Sequence, residues 1–274
     1  MEINRGLLEQ VITIAREAGD AILNVYHNEN GFETETKSDS SPVTEADLAA
    51  HHILLPALSA LDASVPVLSE ESEIPDYEIR SGWQQYWIID PLDGTKEFIK
   101  RNGEFTVNIA LIDETGAPVL GVVYVPVLDI IYAGAQGLGA IKITAKEESS
   151  ISIKKIADKL AGEPLNIVAS RSHGSAAVED CVSKLEKRFK NVERQSMGSS
   201  LKLCLVAEGS ADLYPRLAPT SEWDTAAAQA IVEAAGGTVV DTDLKLLRYN
   251  TKSDILNPYF YVIGDTDFDW SALL

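Results

Sequence analysis

The apolar run Tyr86-Trp87-Ile88-Ile89 leads directly into Asp90-Pro91-Leu92-Asp93-Gly94-Thr95. The run reads as a buried strand. Whatever fold the chain adopts must bury that strand and still present two carboxylates and a hydroxyl where it ends. Strand ends are where rigid scaffolds usually carry their chemistry. Oxygen ligands of this kind suit a hard cation such as Mg²⁺, not zinc or copper. Taken alone the segment reads equally well as a turn, because Asp-Gly is a common turn dipeptide.

Two other segments favour the chemical reading. Upstream, Val67-Leu68-Ser69 is a short apolar strand that ends in Glu70-Glu71. Downstream, Glu222-Trp223-Asp224-Thr225 opens an Ala-rich helical run over 226–235, closed by Gly236-Gly237. Each is ordinary by itself: an acid pair is usually solvated, and Asp-Thr before a helix is usually a cap. Together they place acids at two strand ends and one helix start, the raw material of a multi-metal phosphate site.

Glu70-Glu71, then Asp90-Pro91-Leu92-Asp93-Gly94-Thr95, then Trp223-Asp224 resembles the lithium-sensitive, Mg²⁺-dependent phosphatase family. That family includes inositol monophosphatases, fructose-1,6-bisphosphatases and 3′(2′),5′-bisphosphate nucleotidases. The likeness runs from Val43-Thr44-Glu45-Ala46-Asp47 to the Gly-Gly after the last helix. Several motifs in the right order are far more specific than any one of them. The continuation Lys96-Glu97-Phe98 is similar to the bisphosphate nucleotidases. Inositol monophosphatases typically carry Thr-Asn-Phe-Val-His there, and fructose bisphosphatases typically have Ser where Thr95 stands.

The resemblance implies an α/β (α+β) chain, a layered α-β-α-β-α sandwich of the inositol monophosphatase and fructose bisphosphatase type. It implies two or three Mg²⁺ ions held by Glu70, Asp90, the Leu92 carbonyl, Asp93 and Asp224. Thr95 would orient the attacking water with Asp47 as its acceptor, so Asp47, Thr95 and Glu70 form the expected catalytic group. A hydroxyl alone is a poor base near neutral pH, which is why an acidic neighbour makes sense. Read without the resemblance, Asp47 is a first-turn helix acid favoured by the dipole. Gly94 and Thr95 would offer backbone N–H groups to phosphate if a helix starts there.

The nucleoside and its second phosphate fall to the other half. Ser170 and His173 lie in Ser170-Arg171-Ser172-His173 after a strand, as in the substrate segment of the nucleotidases. Gly198 and Lys202 bound a Gly-to-Lys segment like the one that contacts phosphate there. Arg216 is a further candidate for the 5′-phosphate, and Asp224 for substrate as well as metal, while Glu222 is less diagnostic. The implied activity converts adenosine 3′,5′-bisphosphate to AMP and phosphate and is linked to sulfate assimilation. The alternative is an inositol monophosphatase or a broad-specificity sugar phosphatase. A catalytically silent metal-sensing module is disfavoured by the intact Asp47, Glu70, Asp90, Asp93, Thr95 and Asp224.

The chain has 274 residues and a net charge of −19, from 42 acidic and 23 basic residues. Such a surface argues against nucleic acid as a partner; a small-molecule nucleotide partner is what the resemblance implies. It would also repel a phosphorylated substrate unless bound Mg²⁺ inverted the local field. No run of about 18 apolar residues exists, so no integral membrane segment is expected. With only Cys181 and Cys204 there is no disulfide framework, and the expected compartment is the cytoplasm. Attachment to the inner face of the cell membrane, like oligomeric state, is left open by the sequence.

Helical spacing of Leu7, Leu8, Val11, Ile14, Ala15, Ala18, Ile22 and Val25 predicts an amphipathic helix over 5–27. Residues 29–42 are polar and read as an exposed loop, and a second helix starts near Thr44. Strands follow at 67–69, 86–90, 105–112, 119–127, 130–134 and 140–144, with short turns that suggest an antiparallel sheet. The charged stretch 145–163 reads as irregular and as a boundary. It divides an N-terminal metal-binding and catalytic half, 1–155, from a C-terminal half, 156–274, that supplies Asp224 and substrate contacts. Beyond it, strand 166–169, helix 176–189, helix 199–208, strand 211–214, helix 224–235 and strands 238–240 and 259–263 alternate. Alternation of this kind argues for a mixed or parallel sheet covered by helices.

Overall fold

The computed structural model describes residues 1–28, 34–36, 42–170 and 176–274, with the backbone alone at 34–36, 42, 158, 161 and 170. Helix α1 spans Arg5–Tyr26. Asn4 caps it, its side-chain oxygen accepting from the Leu7 N–H at 2.9 Å. Strands β1 (Thr34–Thr36) and β2 (Pro42–Thr44) form an antiparallel pair. The polar segment expected as loop, 29–42, therefore contains β1 and the first residue of β2, which its composition did not signal. Helix α2 (Glu45–Leu61) follows at once, with Thr44 as N-cap and Asp47 closing the capping box.

Next come β3 (Val67–Ser69), α3 (Tyr77–Arg80), β4 (Gln85–Asp93), α4 (Thr95–Ile99), β5 (Thr106–Asp113), β6 (Pro118–Val125), β7 (Ile130–Ala135), β8 (Gly139–Ile143) and β9 (Glu148–Ile151). The seven strands lie side by side in chain order. All neighbours are antiparallel except β3 and β4. Both faces of this sheet are covered, which is why its central strands read as continuous apolar runs. Trp87 and Ile89 of β4 and Val107, Ile109 and Leu111 of β5 join α1 and α2 in one core. Tyr86, Ile88, Ala110 and Ile112, the alternate positions, point into a second core on the opposite face.

The remaining elements are α5 (Ala157–Ala161), β10 (Leu165–Ser170), α6 (Ala176–Arg188), β11 (Val192–Met197), α7 (Leu201–Ala207), β12 (Leu213–Arg216), α8 (Ala226–Ala234), β13 (Thr238–Asp241) and β14 (Phe260–Ile263). The five strands run in the order β11-β10-β12-β14-β13. β10 is parallel to β11 and β12, whereas β14 is antiparallel to β12 and β13. Helices α7 and α8 sit between the two sheets and share the second core with both. Helix α6 packs on the outer face through Val178, Cys181, Val182 and Leu185. The layers are thus α-β-α-β-α. Gly121 of β6 shows how tightly they meet, since a Cβ there would lie 2.1 Å from the Ala227 carbonyl of α8.

Three expectations are corrected. The stretch 145–163 is not irregular throughout: β9 adds a seventh strand to the first sheet, and α5 lies within it. Strand β11 was not foreseen. Its side chains are mostly exposed, so the sheet-edge strand carries no apolar alternation to read. The helix expected from Asp224 begins as a 3-10 turn, Glu222–Asp224, and becomes α-helical only at Ala226. The expected division at residues 155/156 falls between β9 and α5, and the second core draws on both halves.

Candidate active site

The site is built around the end of β4. Opposite β5, Asp90 pairs with Asn108 and Asp93 with Thr106, so the register slips by one residue between them. A bulge of this kind re-aims side chains at the end of a strand. The Asp90 carboxylate holds it, accepting from the Leu92 N–H at 3.0 Å. Gly94 then takes a left-handed conformation at φ 95°, which lets the chain turn sharply into α4. A Cβ on Gly94 would also lie 3.2 Å from the Glu104 carbonyl.

Thr95 opens α4. Its hydroxyl donates to Asp47 Oδ1 at 3.3 Å, and the Leu92 carbonyl lies 3.5 Å away. The other Asp47 oxygen accepts from the Thr44 N–H at 2.7 Å and the Thr44 hydroxyl at 2.6 Å. One carboxylate therefore both caps α2 and meets the Thr95 hydroxyl. Burial raises its pKa, with Glu71 adding to the effect and the bonds from Thr44 opposing it.

Glu70 extends β3, its N–H donating to the Ile89 carbonyl at 3.2 Å. Asp224 ends the 3-10 turn and accepts from the Ser221 N–H at 2.8 Å. Glu70, Asp90 and Asp224 each offer an oxygen, and these oxygens all lie within 4.8 Å of one another. Asp93 stands beside this group, with its Oδ2 accepting from the Ser200 N–H and, at 3.5 Å, from Asn108 Nδ2. Asp90 is held well above the usual carboxylate range by burial and by the charges of Glu70, Asp93, Asp224 and Asp47. Asp224 rises to about 8 through burial and the charges of Asp93 and Glu70. Acids that repel one another and offer only oxygen are a donor set that fits a hard divalent cation.

A pH dependence follows. The raised pKa values mean that the folded metal-free protein holds protons that the unfolded chain releases. Stability must then fall as pH rises. For Asp224 the window runs from the ordinary value of 3.8 to about 8. Metal-free protein is expected to melt at a lower temperature at pH 8 than at pH 5.5, and Mg²⁺ should restore most of the difference at pH 8. Thermal melts in a chelator and in Mg²⁺ at both pH values check this. A melting point independent of both would contradict the cluster's electrostatics.

Beside the acids lies a cavity of about 140 Å³ whose walls include Asp93, Gly94, Glu97, Lys202, Arg216 and Asp224. Lys202 is buried, and its ammonium donates to the Ser199 carbonyl at 2.5 Å and the Met197 carbonyl at 3.4 Å. It also lies 5.7 Å from the centre of the Tyr214 ring. Burial lowers its pKa to about 8, although Asp93 opposes that shift. Arg216 donates to the Pro219 carbonyl at 2.9 Å. Gly198 also lines the cavity, and its N–H donates to Glu104 Oε2 at 2.8 Å. Ser170 closes β10 and only its backbone is described, and His173 lies outside the described residues.

The structure adds residues that the sequence reading did not pick out. Glu222 is buried, and its two carboxylate oxygens each accept from the Asn250 N–H at 3.0 Å, which pins the turn that carries Asp224. Asn108 and Ser200 hold Asp93. A signal for Asn108 was present: Thr106 and Asn108 are polar residues at alternate positions of a strand that is otherwise apolar up to its last residue, Asp113.

The chain was compared with known proteins. Residues 4–262 match the model of the inositol monophosphatase family. The 3′(2′),5′-bisphosphate nucleotidase CysQ of Salmonella typhimurium is 52% identical over 256 residues, covering 93% of this chain and 99% of that protein. Its namesake from Escherichia coli K12 is 50% identical over the same coverage. Among solved structures, CysQ from Bacteroides thetaiotaomicron is 43% identical, with a TM-score of 0.82, covering 95% of this chain and 97% of that one. A family match across nearly the whole length, joined to the layered fold and the acidic cluster at the end of β4, allows one conclusion: this chain belongs to the inositol monophosphatase family.

Proposed function

We propose that the chain is a Mg²⁺-dependent 3′(2′),5′-bisphosphate nucleotidase that converts adenosine 3′,5′-bisphosphate to AMP and phosphate, clearing a by-product of sulfate activation. The observation that carries this reading is a single cavity walled by both Asp93 and Asp224 and by both Lys202 and Arg216. A monophosphatase needs the acids. A second phosphate needs the cations as well.

Glu70, Asp90, Asp93, Asp224 and the Leu92 carbonyl would hold two or three Mg²⁺ ions. When bound, these ions neutralise phosphate charge and make water a stronger nucleophile. The protein's own part is positional. Asp47 takes the hydrogen bond of the Thr95 hydroxyl, which leaves the lone pairs of Thr95 to accept from the attacking water. As the water attacks phosphorus, the bond from phosphorus to the 3′-oxygen would break; the water's proton would pass to Thr95 and the Thr95 proton to Asp47, and the leaving 3′-oxygen would take a proton from solvent water. A carboxylate whose pKa is raised by burial is a better acceptor for that transfer than an ordinary one.

An ammonium has three donors. The two loop carbonyls occupy two on Lys202; the third, without a hydrogen-bond partner among the described residues, would meet the 5′-phosphate, with Arg216 lining the same cavity. Charge-assisted bonds to that remote group orient the substrate. Lys202→Ala should therefore lower kcat/KM for adenosine 3′,5′-bisphosphate by roughly 10- to 150-fold, the worth of one such bond. The loss on inositol 1-phosphate should be several times smaller. Steady-state phosphate release on both substrates is the test, and equal losses would refute the remote-phosphate role.

A further inference from the structure

Two side chains outside the expected site bind its two halves together. Thr106 and Asn108 occupy alternate positions of β5, on the face where Ala110 and Ile112 point into the core shared with α7 and α8. They are 0% and 1% exposed. Polar groups so deeply buried are costly unless they are bonded, and both are bonded to Ser200. The Ser200 hydroxyl donates to Asn108 Oδ1 at 2.8 Å, and its oxygen lies 2.9 Å from the Thr106 hydroxyl.

Proton counting fixes the direction of the chain. A carboxylate only accepts, so Asn108 must turn its Nδ2 to Asp93 and its Oδ1 to Ser200. Ser200 has one hydroxyl proton, which goes to Asn108. Thr106 must then donate to Ser200. At 3.5 Å the bond from Asn108 to Asp93 is at the long limit, so the larger effect of Asn108 runs through Ser200. The Ser200 N–H donates to the same carboxylate oxygen, Oδ2. Asp93 also lines the cavity, and among the described residues both of these bonds fall on Oδ2.

We infer that Asn108 and Ser200 are positioning residues that fix the Asp93 carboxylate for metal and join it to residues 198–202. The inference rests on Asp93 being a metal ligand. Ser200 belongs to the same short segment as Lys202, so the group that meets the second phosphate and the group that meets metal move as one unit.

The test is a calorimetric titration of metal-free protein with Mg²⁺, without substrate, on Ser200→Ala, Asn108→Ala, the double variant and Asp93→Asn. Ser200→Ala keeps the backbone N–H and removes only the grip of β5. Each single variant should raise the half-saturating Mg²⁺ concentration by roughly 10-fold, as loss of an outer support typically does. The double variant should be no worse than the weaker single, because both act through Asp93. If Asn108→Ala fails to fold, Ser200→Ala alone carries the test. A merely structural role would lower the metal-free melting point and leave Mg²⁺ affinity at the wild-type value, and that result overturns the inference. Wild-type affinity in Asp93→Asn as well would remove Asp93 from the metal site and overturn the premise instead.

Discussion

Asp90→Asn is expected to abolish turnover while raising the melting temperature of the metal-free protein. Asp90 is 1% exposed and faces Glu70, Asp93, Asp224 and Asp47, all of one sign. Its ionised form is disfavoured by burial first and by these neighbours second. Asparagine has nearly the same volume and keeps the acceptor for the Leu92 N–H. It cannot ionise, and so escapes the burial and like-charge cost of the cluster, where Glu70 and Asp224 oxygens lie within 4.8 Å. The metal-free fold should gain about 1 kcal/mol, or roughly 2–4 °C in a chain of this size. Activity should fall by roughly 10³-fold or more, because metal contributes several kcal/mol to the transition state. A melt and a phosphate assay on the same sample check both halves. An active variant with a lowered melting point would mean that Asp90 is structural.

Thr95→Ala should reduce kcat by roughly 10²- to 10⁴-fold, the range of one proton-transfer group, with KM changed only a few-fold. In the proposed mechanism the hydroxyl would accept from the attacking water and hand its own proton to Asp47, so its loss should appear in the transition state rather than in binding. The small alanine leaves the α4 start and the Gly94 turn undisturbed. Full steady-state curves separate the two parameters. A rise in KM alone would make Thr95 a binding residue.

Much of the site was legible because it is local. Asp90, Leu92, Asp93, Gly94 and Thr95 sit on one strand end, and a buried run ending in acids and a hydroxyl announces itself. Asp47 was legible as a site residue only through the family resemblance; by itself it reads as a first-turn helix acid, and the structure shows it closing a capping box with Thr44. What could not be read was long-range. Ser200 meets Asn108 across 92 residues, and no spacing rule connects them. Glu222 was less diagnostic in the sequence, and only the fold brings the Asn250 N–H to it. The same holds for secondary structure: α1 and β3 follow their patterns, whereas β11 is polar and exposed and borrows its conformation from β10. Tertiary context there overrides local preference.

The central claim is tested most directly by phosphate release from adenosine 3′,5′-bisphosphate, AMP, inositol 1-phosphate and fructose 1,6-bisphosphate, each with Mg²⁺ and with a chelator. Activity only with Mg²⁺, highest on adenosine 3′,5′-bisphosphate and yielding AMP, is the expected result. Highest activity on inositol 1-phosphate, or release that does not depend on Mg²⁺, would contradict it.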